Sequence, residues 1–284
     1  MPILSKASTD EFDSPIERLL ASVANLSQQP TSKGAHFYRT SLRRFEAWCE
    51  VFHPPLDSRQ KEALKFLDKL RRSTGKLRDA EVHSDLLGQL TQVVASEKKK
   101  LEKELRSRSS AYEKKLKALL RKPILTGIWR TLRALDEPPP ETNEIATFHP
   151  IGGMNTLALD QYRAFVQRHG IISAENLHQY RLECKRLRYT TELGGKTPEG
   201  EALIEIWKKV QDVIGEWHDH LTLCELAEEV LGESSVLTIL RQLTSKKYAE
   251  SRRAVAAAER KLIGQPLGRK RPQRASAGRK SRAA

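Results

Sequence analysis

The sequence predicts an all-α protein built from two copies of one helical unit. Three observations predict it. No segment of the 284 residues shows sustained alternation of apolar and polar positions, the mark of a half-buried strand. Aromatic residues make up 6%, with 15 Gly and 13 Pro, a composition that disfavours an all-β fold. One pattern, H-x-Y-R-x-x-x-[RK]-R, occurs twice: His36 through Arg44 aligns without a gap on His178 through Arg186, an offset of 142. A second block repeats as well. Lys69, Gly75 and Asp79 align on Lys209, Gly215 and Asp219 at an offset of 140. Two blocks in the same order at nearly one offset define an internal repeat of about four helices per copy.

The elements follow from local signals. Ser14-Pro15-Ile16-Glu17 opens a helix with Ser at N-cap, Pro at N1 and Glu at N3. Ile16, Leu19, Leu20, Val23 and Leu26 continue it at helical spacing. A second helix starts near Thr31 and stops before Pro54-Pro55. Asp57 or Ser58 opens a third, with Ala63, Leu64, Phe66, Leu67 and Leu70 apolar, and residues 76–96 read as a fourth. A charged helix covers 97–121, and a short one 124–135. Residues 136–153 carry four prolines and two glycines and form the connector. Helical patterns resume at 155–169, 174–193, 199–214, 217–231 and 234–262, with Ser173 as a cap and Gly194-Gly195 as a stop. The expected organisation is a flexible segment 1–13, a helical region 14–263 (first unit 14–135, linker 136–153, second unit 154–263) and a disordered tail 264–284.

Charge narrows the function. Lys and Arg number 50 against 36 Asp and Glu, a net of +14. The last sixteen residues hold seven basic groups and no acid, so the tail supplies half the excess. A basic protein of this kind meets a polyanion: nucleic acid, an anionic membrane or a phosphate polymer. No apolar run approaches the roughly 20 residues that cross a bilayer, so no membrane partner is expected. The N-terminus turns acidic at once and has no signal-peptide core. Cys49, Cys184 and Cys224 are odd in number and far apart, which fits a reducing cytoplasm.

The repeated helices carry the chemistry. His36, Arg39 and Arg43 lie at i, i+3 and i+7, one helix face, and His178, Arg181, Lys185 and Arg188 do the same. Like charges on one stripe repel, so a solvated face would interleave acids, and these stripes do not. A one-sign stripe, repeated at matched positions, suits several phosphates in a row. Arginine holds phosphate oxygens with its planar fork, and lysine serves as a point charge. Histidines amid such charge are expected to have lowered pKa values and to act as neutral hydrogen-bond donors.

These residues resemble the CHAD family, the conserved histidine α-helical domain. The second copy continues Leu187-Arg188-Tyr189-Thr190-Thr191-Glu192, like the family's L-R-Y-x-x-E, and Leu77-Arg78-Asp79 matches its LRD segment. Val210 through Asp219 resembles L-Q-D-x-L-G-x-x-x-D, with His218 where the family often has Asn. The resemblance covers about residues 14–263. It implies two pseudo-symmetric four-helix bundles with a basic groove or pore between them, binding of inorganic polyphosphate, and a cytoplasmic place at polyphosphate granules. The E-x-E-x-K strand of the hydrolase domain often fused to this family is missing, so the stand-alone form without enzymatic activity is expected.

The resulting candidates are His36, Arg39, Arg43, Arg44, Lys69 and Arg78 in the first unit, and His178, Arg181, Lys185, Arg186, Arg188 and Lys209 in the second. No catalytic residue, metal or cofactor is assigned. His218-Asp219-His220 lacks the further spaced ligands of a metal site. A structural alternative pairs the arginines with Asp79, Asp212 or Asp219 across the bundle; in either case Asp79 and Asp219 are read as braces that orient arginine. His53, His83, His149 and His169 read as surface or loop residues, and the four tryptophans as core. The competing function is a sequence-independent nucleic-acid protein, with weak binding through the tail. It lacks a base-reading motif and stacking aromatics on the stripes.

Overall fold

A computed structural model describes residues 14–52, 57–133, 153–170 and 172–264. The termini, the linker and the tail expected above lie outside the described residues. Within them the fold is all-α, with α1 (Pro15–Gln28), α2 (Ser32–Phe52), α3 (Ser58–Gln89), α4 (Ala95–Leu119) and α5 (Lys122–Arg133) in the first half. The second half holds α6 (Gly153–His169), α7 (Ala174–Glu192), α8 (Pro198–Leu231) and α9 (Ser235–Ile263). The first four helices of each half correspond, and α5 is an addition that packs on α1 and α3.

Caps fix the starts. The Glu17 amide donates to Ser14 Oγ at 3.1 Å, and the Gly200 amide to Thr197 Oγ1 at 3.0 Å. Asp57 and Gln60 form a reciprocal box, each backbone amide donating to the other's side chain.

Two expected breaks do not occur. Residues 58–89 form one helix of 32 residues, and 198–231 one of 34. Gly75 and Gly215 sit inside them, and neither has a positive φ. A mid-helix glycine costs about 1 kcal/mol relative to alanine, but only a left-handed C-terminal glycine ends a helix. The helix expected at 76–96 therefore belongs to α3, which ends earlier, at Gln89.

Each half buries its own cluster. In the first, Leu19, Tyr38, Leu42, Phe45, Leu67 and Leu70 meet; in the second, Tyr162, Phe165, Tyr180, Leu187, Trp207 and Ile214. A third cluster joins the halves where Leu87, Leu101 and Leu105 pack on Leu223, Leu226, Val236 and Leu240. Trp207 and Trp217 are buried, and Trp48 and Trp129 pack partly buried on the first cluster, which fits a core role.

Polar ties reinforce the joint. Glu97 of α4 accepts from the Ser235 hydroxyl at 2.7 Å and the Val236 amide at 3.3 Å, capping α9 from the opposite half. Arg108 bridges Glu104 and Glu229. His83 is buried rather than on the surface: its Nε2 lies 2.9 Å from Thr222 Oγ1, linking α3 to α8.

Glu259 is a buried acid, and burial raises its pKa above the usual carboxylate range. A raised acid stabilises the fold least once pH exceeds that pKa. Glu259→Gln should therefore raise Tm more at pH 8 than at pH 4, read by thermal melts at both.

Candidate anion-binding site

The site is built where α2 and α7 pack on each other, flanked by α3 and α8. The two signature arginines hold its centre. Arg39 leaves α2 and lies against the backbone of α3, where its Nη1 donates to the Arg71 carbonyl at 3.1 Å. Glycine permits this approach: a Cβ on Gly75 would stand 2.5 Å from that Nη1. Arg181 lies against α8 in the same way, with the Cβ position of Gly215 3.3 Å from its Nε. The repeated glycine is thus space for the repeated arginine.

Charge converges from both halves. Burial first, then Arg78, Arg71 and Arg181, pull the Arg39 pKa down to about 10, opposed by Asp79. Arg181 is lowered by burial and by Arg78, opposed by Asp219, Asp79 and Asp212. Asp79 acts on Arg39 as Asp219 acts on Arg181, the same brace in each half. Lys185 stands among these groups. Burial, together with Arg181, Arg39, Arg43 and Arg78, brings its ammonium down to about 6. An amine that loses its proton this easily is one that burial has dehydrated and that stands among other cations.

The histidines sit beside the arginines. His36 is lowered chiefly by burial, then by Arg78, Arg39, Arg188 and Lys185. His178 is lowered by burial, His218, Arg181 and Lys185, and its ring centre is 4.9 Å from that of His218. They are therefore neutral at pH 7, as the sequence predicts, although burial outweighs charge as the cause. His218 was not among the candidates. It occupies in α8 the place of Arg78 in α3, which the offset of 140 already marks.

Among the site candidates, three buried side-chain nitrogens make no hydrogen bond within the described residues: Arg181 Nε, Arg188 Nε and His178 Nδ1. An unsatisfied buried N–H costs about 1–3 kcal/mol, so the two guanidinium groups favour an acceptor brought by a ligand.

Not every candidate joins the cluster. Arg44 Nε donates to Glu192 Oε2 at 2.7 Å, and Arg186 Nη1 to Glu50 Oε1 at 2.6 Å. Both cross the interface, and Arg186 also pairs with Glu183 on its own helix. Glu50 and Glu192 are themselves at the offset of 142. The two ties are one interaction made twice, as at a two-fold interface. Arg43 also pairs with Glu46 at 2.8 Å, and Arg188 Nε lies 3.6 Å from Glu192, so the end of each stripe does carry an acid. Lys69 and Lys209 are exposed, nine residues from Arg78 and His218. Nine residues are two and a half turns, which puts them on the far sides of α3 and α8.

A CHAD domain family model matches residues 12–228. The chain belongs to the CHAD domain family. Among solved structures, this CHAD protein is similar to PptA from Streptomyces chartreusis, at 16% identity and a TM-score of 0.64, covering 89% of this chain and 99% of that one. It is also similar to the CHAD domain from the plant Ricinus communis, at 16% identity and a TM-score of 0.55, covering 86% and 87%. Both likenesses concern the fold. No curated protein sequence matches the chain. Among the described residues no group of His, Cys, Asp and Glu is arranged to hold a metal ion, and no helix is long and apolar enough to cross a membrane.

The arrangement suits a chain of phosphates: guanidinium forks and one tunable amine in a half-buried setting. Glycine substitution tests the central packing. Gly75→Ala should leave Tm nearly unchanged, because a helix-propensity gain of about 1 kcal/mol offsets one lost hydrogen bond of similar size. It should nevertheless weaken polyanion binding, since the new methyl displaces the Arg39 guanidinium. Gly215→Ala, with more room, should weaken it less; melts and titrations of both variants read the difference.

Proposed function

We propose that this CHAD protein binds inorganic polyphosphate, held without bond cleavage between α2 and α7. Membership of a family that binds polyphosphate supports a polyphosphate-related role. The observation that carries the finer reading is the meeting of Arg39, Arg78, Arg181 and Lys185 from three helices and both halves, in excess of the acids around them. The arginines grip non-bridging oxygens, Lys185 supplies a further point charge, and the neutral histidines donate hydrogen bonds. Arg44 and Arg186 hold the two halves in register around the chain. Association with polyphosphate granules follows from such binding.

Charge reversal tests the reading. Arg78→Glu combined with Lys185→Glu removes two charge-assisted contacts of about 1.5–3 kcal/mol each, so affinity for long-chain polyphosphate should fall about 100-fold or more. Calorimetric titration measures it, with circular dichroism to check folding. An unchanged affinity would end the proposal.

Proton linkage gives a second test. A bound anion favours the charged form of Lys185, whose pKa in the free protein is about 6. Binding above pH 6 then takes up a proton, and affinity falls with rising pH by up to about tenfold per unit. Lys185→Arg keeps the charge at every pH and should flatten the profile.

A further inference from the structure

We infer that Lys185 is a site of acylation: its amine takes the acyl group of a small acyl phosphate seated on the neighbouring arginines, and the resulting amide weakens anion binding.

Comparison of the two halves singles this lysine out. The offset of 142 sets Lys185 on Arg43 and Arg188 on Glu46. In the first half Arg43 and Glu46 form an ion pair at 2.8 Å. In the second half the acid has become a cation, and the arginine has become a lysine, which can lose its proton where arginine cannot. The other acids along this part of α7 are engaged: Glu183 holds Arg186, and Glu192 holds Arg44 and Arg188. Lys185 is half-buried and makes no hydrogen bond or ion pair among the described residues.

Cations surround it. Arg181 and Arg188 are its neighbours along α7, at i−4 and i+3. Arg39 and Arg43 of α2 and Arg78 of α3 act on it from other helices, while Asp219 of α8 acts on Arg181 beside it. The lowered His36 and His178 feel the same amine. Burial and these charges bring Lys185 down to about 6, so at pH 7 most of it is free amine. A lysine in water, with a pKa of about 10.4, is free amine to about 0.04% there.

A dehydrated neutral amine amid cations is how lysine becomes a nucleophile. Guanidinium forks bind the phosphate end of an acyl phosphate and bring its carbonyl carbon to the amine. The nitrogen attacks that carbon, the C–O bond to phosphate breaks, and the amine proton leaves with the phosphate. The products are an amide on Lys185 and hydrogen phosphate, with no further reactant consumed. The amide carries no charge, so the site loses this cation at every pH. The labelling step does not depend on polyphosphate being the natural ligand.

Acetyl phosphate is the probe. The full-length protein is treated with it, and acetylation of each lysine is followed by peptide mass spectrometry. At pH 7 Lys185 should react at least about tenfold faster than the exposed Lys99 and Lys115, with a rate that levels off above about pH 7. With a neutral donor, N-hydroxysuccinimide acetate, that lead should shrink. Acetylated wild type should bind polyphosphate about tenfold more weakly than untreated protein, whereas Lys185→Arg should bind equally before and after treatment. Lys185 reacting no faster than the exposed lysines would overturn the inference, as would an undiminished lead with the neutral donor. An equal loss of binding in Lys185→Arg would place the effect at other lysines and overturn it too. Failure of the untreated protein to bind polyphosphate would instead overturn the polyphosphate reading and leave the labelling result standing.

Discussion

The contact between an arginine and a bare stretch of helix backbone organises this molecule. Arg39 reaches α3 only because Gly75 has no side chain, and Arg181 reaches α8 only because of Gly215. From there the rest follows. A guanidinium pressed on a helix is partly dehydrated, and its charge acts on neighbours with little screening. Burial first, and then Arg181 and Arg39, lower the Lys185 ammonium, and burial chiefly, with the neighbouring cations behind it, lowers His36 and His178. The fold bears this strain through three apolar clusters and the cross-half pairs of Arg44, Arg186, Arg108 and Glu97. Unbalanced charge of this kind lowers stability, and a bound anion restores it in proportion to its affinity.

Duplication explains the geometry more simply than design of each residue. A unit that carries one His-Arg stripe, one glycine and one aspartate makes half a site. Two units joined face to face double every element and place the stripes against each other. The later differences have consequences. Arg188 in place of Glu46 adds a cation on α7 that lies over the buried Tyr189 ring, 4.5 Å from its centre. His218 in place of Arg78 sets a second imidazole 4.9 Å from the His178 ring. The central arginines are the part that stayed alike.

Much of this was legible in the sequence because it is local. Helix starts at Ser14 and Asp57 are set by residues three apart, and the stripe faces by helical spacing. The repeat showed that His36 matches His178 and Arg39 matches Arg181. What depended on distant partners was not legible. Nothing near Arg44 announces Glu192, 148 residues away, and nothing near His83 announces Thr222. Gly75 and Gly215 were visible as repeated letters, but their meaning lies in arginines on other helices. Lys69 and Lys209 were visible in the same block, and helical geometry alone turns them away from the cluster.

The central claim is that a shaped track, and not bulk charge, recognises the ligand. Titration with long-chain polyphosphate and with single-stranded DNA of matched charge, at several salt concentrations, tests it most directly. A shaped track predicts polyphosphate binding that persists at salt which has already released the DNA, because close contacts between forked guanidinium groups and phosphate oxygens are screened less than diffuse attraction. Equal affinities that fall with the same salt slope would contradict it, and would leave charge alone as the basis of binding.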